Sequence, residues 1–182
     1  RRYDTPLEQM LGPSFSPDGS RLVFSGSSGG TSDLYIIDVD GGNLQRLTRD
    51  VYGDVQPSWS PDGRFVAFAS ERGPQSDLSV LMFGPRRIAL YDLETAEIRV
   101  LPGQAGMNSN PQWSPDGRSI AYVSDRTGTH NIFLYDLDER EHYQITDAFG
   151  SVLSFTEQSP AISWAREADR LAFTFYENGE YT

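Results

Sequence analysis

Cysteine is absent from the 182 residues, which excludes disulfides, thiolate metal sites and a cysteine nucleophile. Histidine is almost absent: His130 and His142 stand without H-E-x-x-H or similar spacing, so no zinc centre and no other metal site or cofactor is expected. Long apolar runs are missing too. None approaches the roughly 20 residues of a membrane helix, so no direct membrane insertion by this segment is expected. Basic residues are scarce, 15 Lys plus Arg against 26 Asp plus Glu, and the net charge of -11 argues against nucleic acid and anionic membrane surfaces as partners. The opening RRYDTPLEQM holds no apolar h-region; the expectation is a leader already removed or an internal piece of a longer protein.

What is present is a repeat. PSFSPDGSR begins at Pro13, PSWSPDGRF at Pro57 and PQWSPDGRS at Pro111, aligning Phe15, Trp59 and Trp113 in one column with Trp164 as a degenerate fourth member. Behind each motif come β-rich runs: 21–25, 64–70, 119–124 and 170–176, then 33–39, 87–93 and 131–137, then the shorter 44–48, 97–101 and 143–146. Helical periodicity is hard to find. Four short strands repeating every 40 to 55 residues are the pattern of propeller blades. The second and third strands of each unit are nearly continuous in apolar residues, as sheets covered on both faces require.

The motif itself reads as a hairpin turn between first and second strands. Pro61 presets φ, Asp62 bonds its own backbone two residues on, and Gly63 accepts a positive φ; Asp18 with Gly19 and Asp116 with Gly117 repeat the device. The aromatic before the turn is expected to fill the space between blades.

These residues, P-x-[WF]-S-P-D-G followed by YxxD and LT, resemble the TolB-like, WD40-like PD40 β-propeller repeats from Pro13 to Thr182. The resemblance implies a propeller of six or seven blades, in the bacterial cell envelope and periplasm, serving as a protein-binding module. The fold expected is all-β, with about three and a half four-stranded blades of a larger six- to eight-bladed propeller. Residues 1–12 read as the end of a preceding blade or linker, 13–56 as blade 1, 57–110 as blade 2, 111–159 as blade 3 and 160–182 as a partial blade 4. A closed ring needs roughly 270 to 320 residues, so an open arc implies a longer chain or a partner over its bare faces. The fourth unit departs from the motif, with Ala165–Ala168 in place of Pro-Asp-Gly.

Loop length is found by counting. Asp18 to Asp38 and Asp116 to Asp136 are each 20 residues, whereas Asp62 to Asp92 is 30, so blade 2 carries a ten-residue insertion near 74–85 rich in Leu, Val, Met and Phe. That insertion falls on the same end as the long interblade loops 49–56, 102–110 and 147–159, and a rigid scaffold makes such an end the place to expect binding. Candidate apolar contacts are Tyr52, Met82, Phe83, Phe149 and Phe155; candidate polar ones are Asp54, Arg86, Arg87 and Asn108. The alternative is that the insertion packs over its own blade.

Other motifs are explained by turns. GSSGG at 26–30 matches G-x-S-x-G, but it joins two strands where a nucleophile elbow needs strand, turn and helix, so a flexible polar loop is expected. DVDGGN at 38–43 lacks the later ligands of a calcium loop. Three functions remain: a non-catalytic protein-binding or scaffold element of an envelope complex; a propeller segment of a prolyl-oligopeptidase-like or tricorn-like peptidase whose catalytic domain lies outside these residues; and a glycan or small-ligand site in the central channel.

Overall fold

The computed structural model describes residues 5–154, 159–177 and 179–181. Among them every regular element is a strand. The first sheet joins β1 (Gln9–Phe15), β2 (Arg21–Ser28), β3 (Thr31–Asp38) and β4 (Gln45–Arg46) in sequence order. The second repeats the order with β5 (Asp54–Trp59), β6 (Phe65–Ser70), β7 (Arg87–Asp92) and β8 (Ile98–Val100). The third does so with β9 (Asn108–Trp113), β10 (Ser119–Ser124), β11 (Asn131–Asp136) and β12 (His142–Gln144). All pairings are antiparallel, and the sheets stack face to face as a partial β-propeller.

The fourth unit is broken up. β13 (Ser151–Val152) pairs with β16 (Phe175–Glu177), which pairs with β17 (Glu180–Tyr181), while β14 (Ile162–Ala165) pairs with β15 (Arg170–Phe173). The run 170–176 is thus interrupted at Thr174.

The motif turn is wired the same way three times. Ser60 Oγ donates to Asp62 Oδ1 at 2.5 Å and accepts from the Phe65 N–H at 2.8 Å, while the Arg64 N–H donates to Asp62 Oδ1 at 3.0 Å. Ser16 with Asp18 and Ser114 with Asp116 copy this arrangement. Gly19, Gly63 and Gly117 close the turns at φ of 71, 77 and 73°, a region that favours glycine.

Between sheets the repeat aromatics behave as a shared core. Trp59 packs with Val23, Leu34 and Ile36 of the first sheet and Val66 and Phe68 of its own. Trp113 packs with Ala67, Leu90 and Leu101 of the second sheet and Tyr122 of the third, and its Nε1–H donates to the Ser58 carbonyl at 3.1 Å. Trp164 is only half-buried against the third sheet. Phe15, on the first sheet, is 56% exposed. The reading of GSSGG is corrected. Ser28 ends β2 opposite Thr31, and Gly29 and Gly30 (φ 69 and 93°) make a two-residue hairpin rather than a flexible loop.

Candidate functional site

The innermost strands β1, β5 and β9 each bulge at the residue before the motif proline. Gly12, Gln56 and Asn110 take φ of 58, 56 and 52°, and the strand register shifts there in all three. Turned out of the ladder, the side chains reach the next sheet. Gln56 Oε1 accepts the Asn110 N–H at 2.9 Å, and Asn110 Oδ1 accepts the Ala161 N–H at 3.1 Å. These amides line a pocket of about 310 Å³ together with Gln112 and Ser163 and the apolar Pro13, Pro57, Pro160 and Ile162.

At the long-loop end a second cleft, of about 400 Å³, shares Gln56 and Asn110 with this pocket. Phe83, Arg86, Met107, Glu71 and His130 line it above Gln56 and Asn110. Arg86 is held from below: its carbonyl accepts from the Asn108 N–H at 3.1 Å and from Asn108 Nδ2 at 3.2 Å. Glu71 is fixed by the Gly53 N–H at 3.0 Å.

Beside the cleft the insertion forms a small hairpin closed by reciprocal backbone bonds between Asp77 and Met82, at 2.8 and 2.9 Å. Its base is tied down by Ser76, whose Oγ donates to the Glu71 carbonyl at 2.5 Å and accepts the Gly84 N–H at 2.9 Å. Hydrogen bonds from Ser79 keep the Asp77 carboxyl below its ordinary value. The apolar side chains do not fold back over the blade: Leu78, Val80, Leu81, Met82 and Phe83 are 40, 67, 77, 55 and 43% exposed.

The structure divides the nine candidate contacts. Arg86 and Phe83 meet in the cleft, Met82 stands on the hairpin, and Phe149 is wholly exposed. Tyr52 lies half-buried under the Arg72 guanidinium, 5.4 Å from its ring centroid. Phe155 lies outside the described residues. Asp54, Arg87 and Asn108 are corrected to interior roles. Asp54 is fully buried and paired with Arg72, which also holds Asp50; burial pushes its carboxyl up against the pull of Arg72. Arg87 is 7% exposed and donates to the Gly106 carbonyl and to Gln75 Oε1. Asn108 is fully buried beneath the cleft. Met107, Gln56 and Asn110 were not singled out by residue type; the signal for the last two is their shared place before the motif proline.

The cleft brings together exposed apolar groups, one arginine, one carboxylate and two side-chain amides. Comparison with known proteins agrees with this architecture. Residues 7–85 match the TolB beta propeller domain family, and residues 83–178 match the dipeptidyl peptidase IV (DPP IV) N-terminal region family. An uncharacterised protein of Agrobacterium fabrum is 38% identical over 120 residues, 62% of this chain and 39% of that protein. The Tol-Pal system protein TolB of Gluconobacter oxydans is 35% identical over 65 residues, 36% of this chain and 14% of that protein. The chain therefore spans well under half the length of these relatives. The solved structure of a putative TolB from Agrobacterium tumefaciens superposes with a TM-score of 0.79 at 23% identity, covering 96% of this chain and 57% of that one, a likeness of fold.

Proposed function

The chain belongs to the TolB-like PD40 β-propeller family, and its second half to that of the dipeptidyl peptidase IV N-terminal region; from that premise we propose that it is a non-catalytic, protein-binding element of a bacterial envelope assembly. Its place is periplasmic, as the Tol-Pal name of its relatives suggests. The observation that carries the reading is the anchored hairpin beside the cleft, five apolar side chains standing in water on a loop whose base is hydrogen-bonded in place. Such a patch is unfavourable in isolation and gains by burial against a partner. Tyr52, Met82, Phe83, Arg86 and Phe149 form its proposed contact set, with Met107 added.

The test is affinity capture of envelope proteins on immobilised protein, comparing the unaltered chain with one in which residues 77–82 are replaced by a Gly-Gly link. A partner is expected on the first and not the second, and it should persist when Asp40 and Asp138 on the tight turns are changed to Asn. Equal capture by both chains would overturn the site. A second reading rests on the match of residues 83–178 to the dipeptidyl peptidase family. On that reading the pocket and cleft admit peptide substrate to a catalytic domain outside these residues. Cleavage of peptide substrates by the protein, weakened when the cleft is narrowed by Met107→Trp, would favour it.

A further inference from the structure

The second and third sheets bring one equivalent position each to the long-loop cleft. Strand register pairs Arg87 with Ser70 and Asn131 with Ser124, so Arg86 and His130 stand at the same place, one residue before β7 and β11. Their backbones do the same work. The Arg86 carbonyl accepts the Asn108 N–H at 3.1 Å, and the His130 carbonyl accepts the Val152 N–H at 2.8 Å. Their side chains are left over: both are half-buried in the lining of the cleft, and neither is hydrogen-bonded or ion-paired to a described residue. Arg46, Arg64 and Arg72, by contrast, each hold a carboxylate.

The cleft also carries Glu71, and that carboxylate has a structural task. Its Oε2 accepts the Gly53 N–H at 3.0 Å, and at the equivalent place in the third sheet Asp125 Oδ1 accepts the Met107 N–H at 2.6 Å. Each acid clasps the loop that leads into its inner strand. Gly53 lies so close that a Cβ there would meet Glu71 Oε2 at 3.1 Å. Glu71 is thus accounted for by the fold, whereas the Arg86 and His130 side chains are not. Beside them Phe83 and Met107, 43 and 40% exposed, offer apolar surface, and the buried Val123 and Val152 complete the lining.

Taking the cleft as a partner's contact surface, we propose that it receives a single carboxylate borne by an apolar peptide segment, with the carboxylate on Arg86 and His130 and an apolar side chain between Phe83 and Met107. A guanidinium that is partly withdrawn from water and has no internal partner gains a charge-assisted, planar match from a carboxylate. The apolar walls add the burial of one side chain. The net charge of -11 repels an acid-rich segment, which limits the partner to one carboxylate on an otherwise apolar or basic stretch. That carboxylate comes from a free chain terminus or from an Asp or Glu side chain.

The experiment is an NMR titration of the protein labelled at its three methionine methyl groups, assigned by single Met→Leu changes. The probes are acetyl-Gly-Leu with a free carboxylate, acetyl-Leu-Asp-amide with a side-chain carboxylate, and acetyl-Gly-Leu-amide with none. The Met107 methyl should shift saturably with one or both carboxylate peptides, at an affinity on the order of millimolar, and the tighter of the two identifies the source. The amide should bind about tenfold or more weakly, and Arg86→Gln should cost the carboxylate peptides as much. His130→Gln should weaken them about threefold, whereas Glu71→Gln, which keeps an oxygen for the Gly53 N–H and removes a repelling charge, should tighten them about threefold. Met10, packed against the first sheet, should not respond and reports that each variant is folded. The proposal is overturned by a Met107 signal silent to both carboxylate peptides, by equal binding of the amide, by unchanged binding in Arg86→Gln, or by weaker binding in Glu71→Gln. Inorganic phosphate bound as tightly as the peptides would overturn it too, since the cleft would then take any anion. Arg86→Gln leaves residues 77–82 in place and the capture test leaves Arg86 in place, so failure of this site and failure of the contact surface are told apart.

Discussion

His142 links one side chain to pH. Arg126 Nη2 donates to the Tyr122 hydroxyl at 2.7 Å, which leaves that hydroxyl to donate to His142 Nδ1 at 2.8 Å, and Nε2–H then donates to the Pro102 carbonyl at 2.8 Å. Burial, with Arg126 nearby, lowers the His142 pKa below its ordinary 6.5, and burial raises Tyr122 to about 12. The unfolded chain then binds a proton that the native one refuses, so this contribution to stability is complete above pH 6.5 and declines as pH falls below it. His142→Gln should flatten the loss of urea stability between about pH 7 and 5.5. Asp18 titrates in another window: bonds from Ser16 and Ser20 lower it to about 2, so its contribution is lost only below the ordinary 3.8. Gly117 gives a second prediction. A Cβ there would meet Pro61 Cγ at 3.2 Å at a φ of 73°, whereas at Gly19 it would meet nothing within 4 Å. Gly117→Ala should cost about 1 kcal/mol or more in chemical denaturation, and more than Gly19→Ala.

At the scale of elements, the motif turns were legible because their chemistry is local: Pro, Asp and Gly at fixed offsets define the loop whatever lies around it. The insertion was legible by counting from Asp62 to Asp92. Its exposure was not, since Leu, Val, Met and Phe have the same composition whether they cover a blade or stand in solvent. The amide rungs were hidden too, because Gln56 and Asn110 contact residues 54 and 51 positions away. Asn110→Ala would leave the buried Ala161 N–H without its acceptor, and a loss of about 1–3 kcal/mol is expected in urea unfolding. Gln at the same position, able to reach the same N–H, should recover part of it.

For the molecule as a whole, stability lies between sheets as much as within them. Trp113 belongs to a core shared by the second and third sheets, so Trp113→Ala should cost about 3–5 kcal/mol and lower the single unfolding transition rather than melt one sheet alone. Calorimetry reads both. If a basic partner binds, the acidic surface makes its association rate fall steeply with added salt, measurable by stopped flow.

The sequence alone determined the fold class, the repeat and its turns, the departure of the fourth unit and the end of the molecule that carries long loops. All of these follow from short-range spacing and from a period that recurs. Only the tertiary structure decided which candidates face water. Asp54, Arg87 and Asn108 have the side chains of a binding surface, yet packing buries them as supports, while Phe83, Arg86 and Met107 meet at the cleft. Exposure depends on neighbours brought from distant parts of the chain, which residue type and spacing do not report.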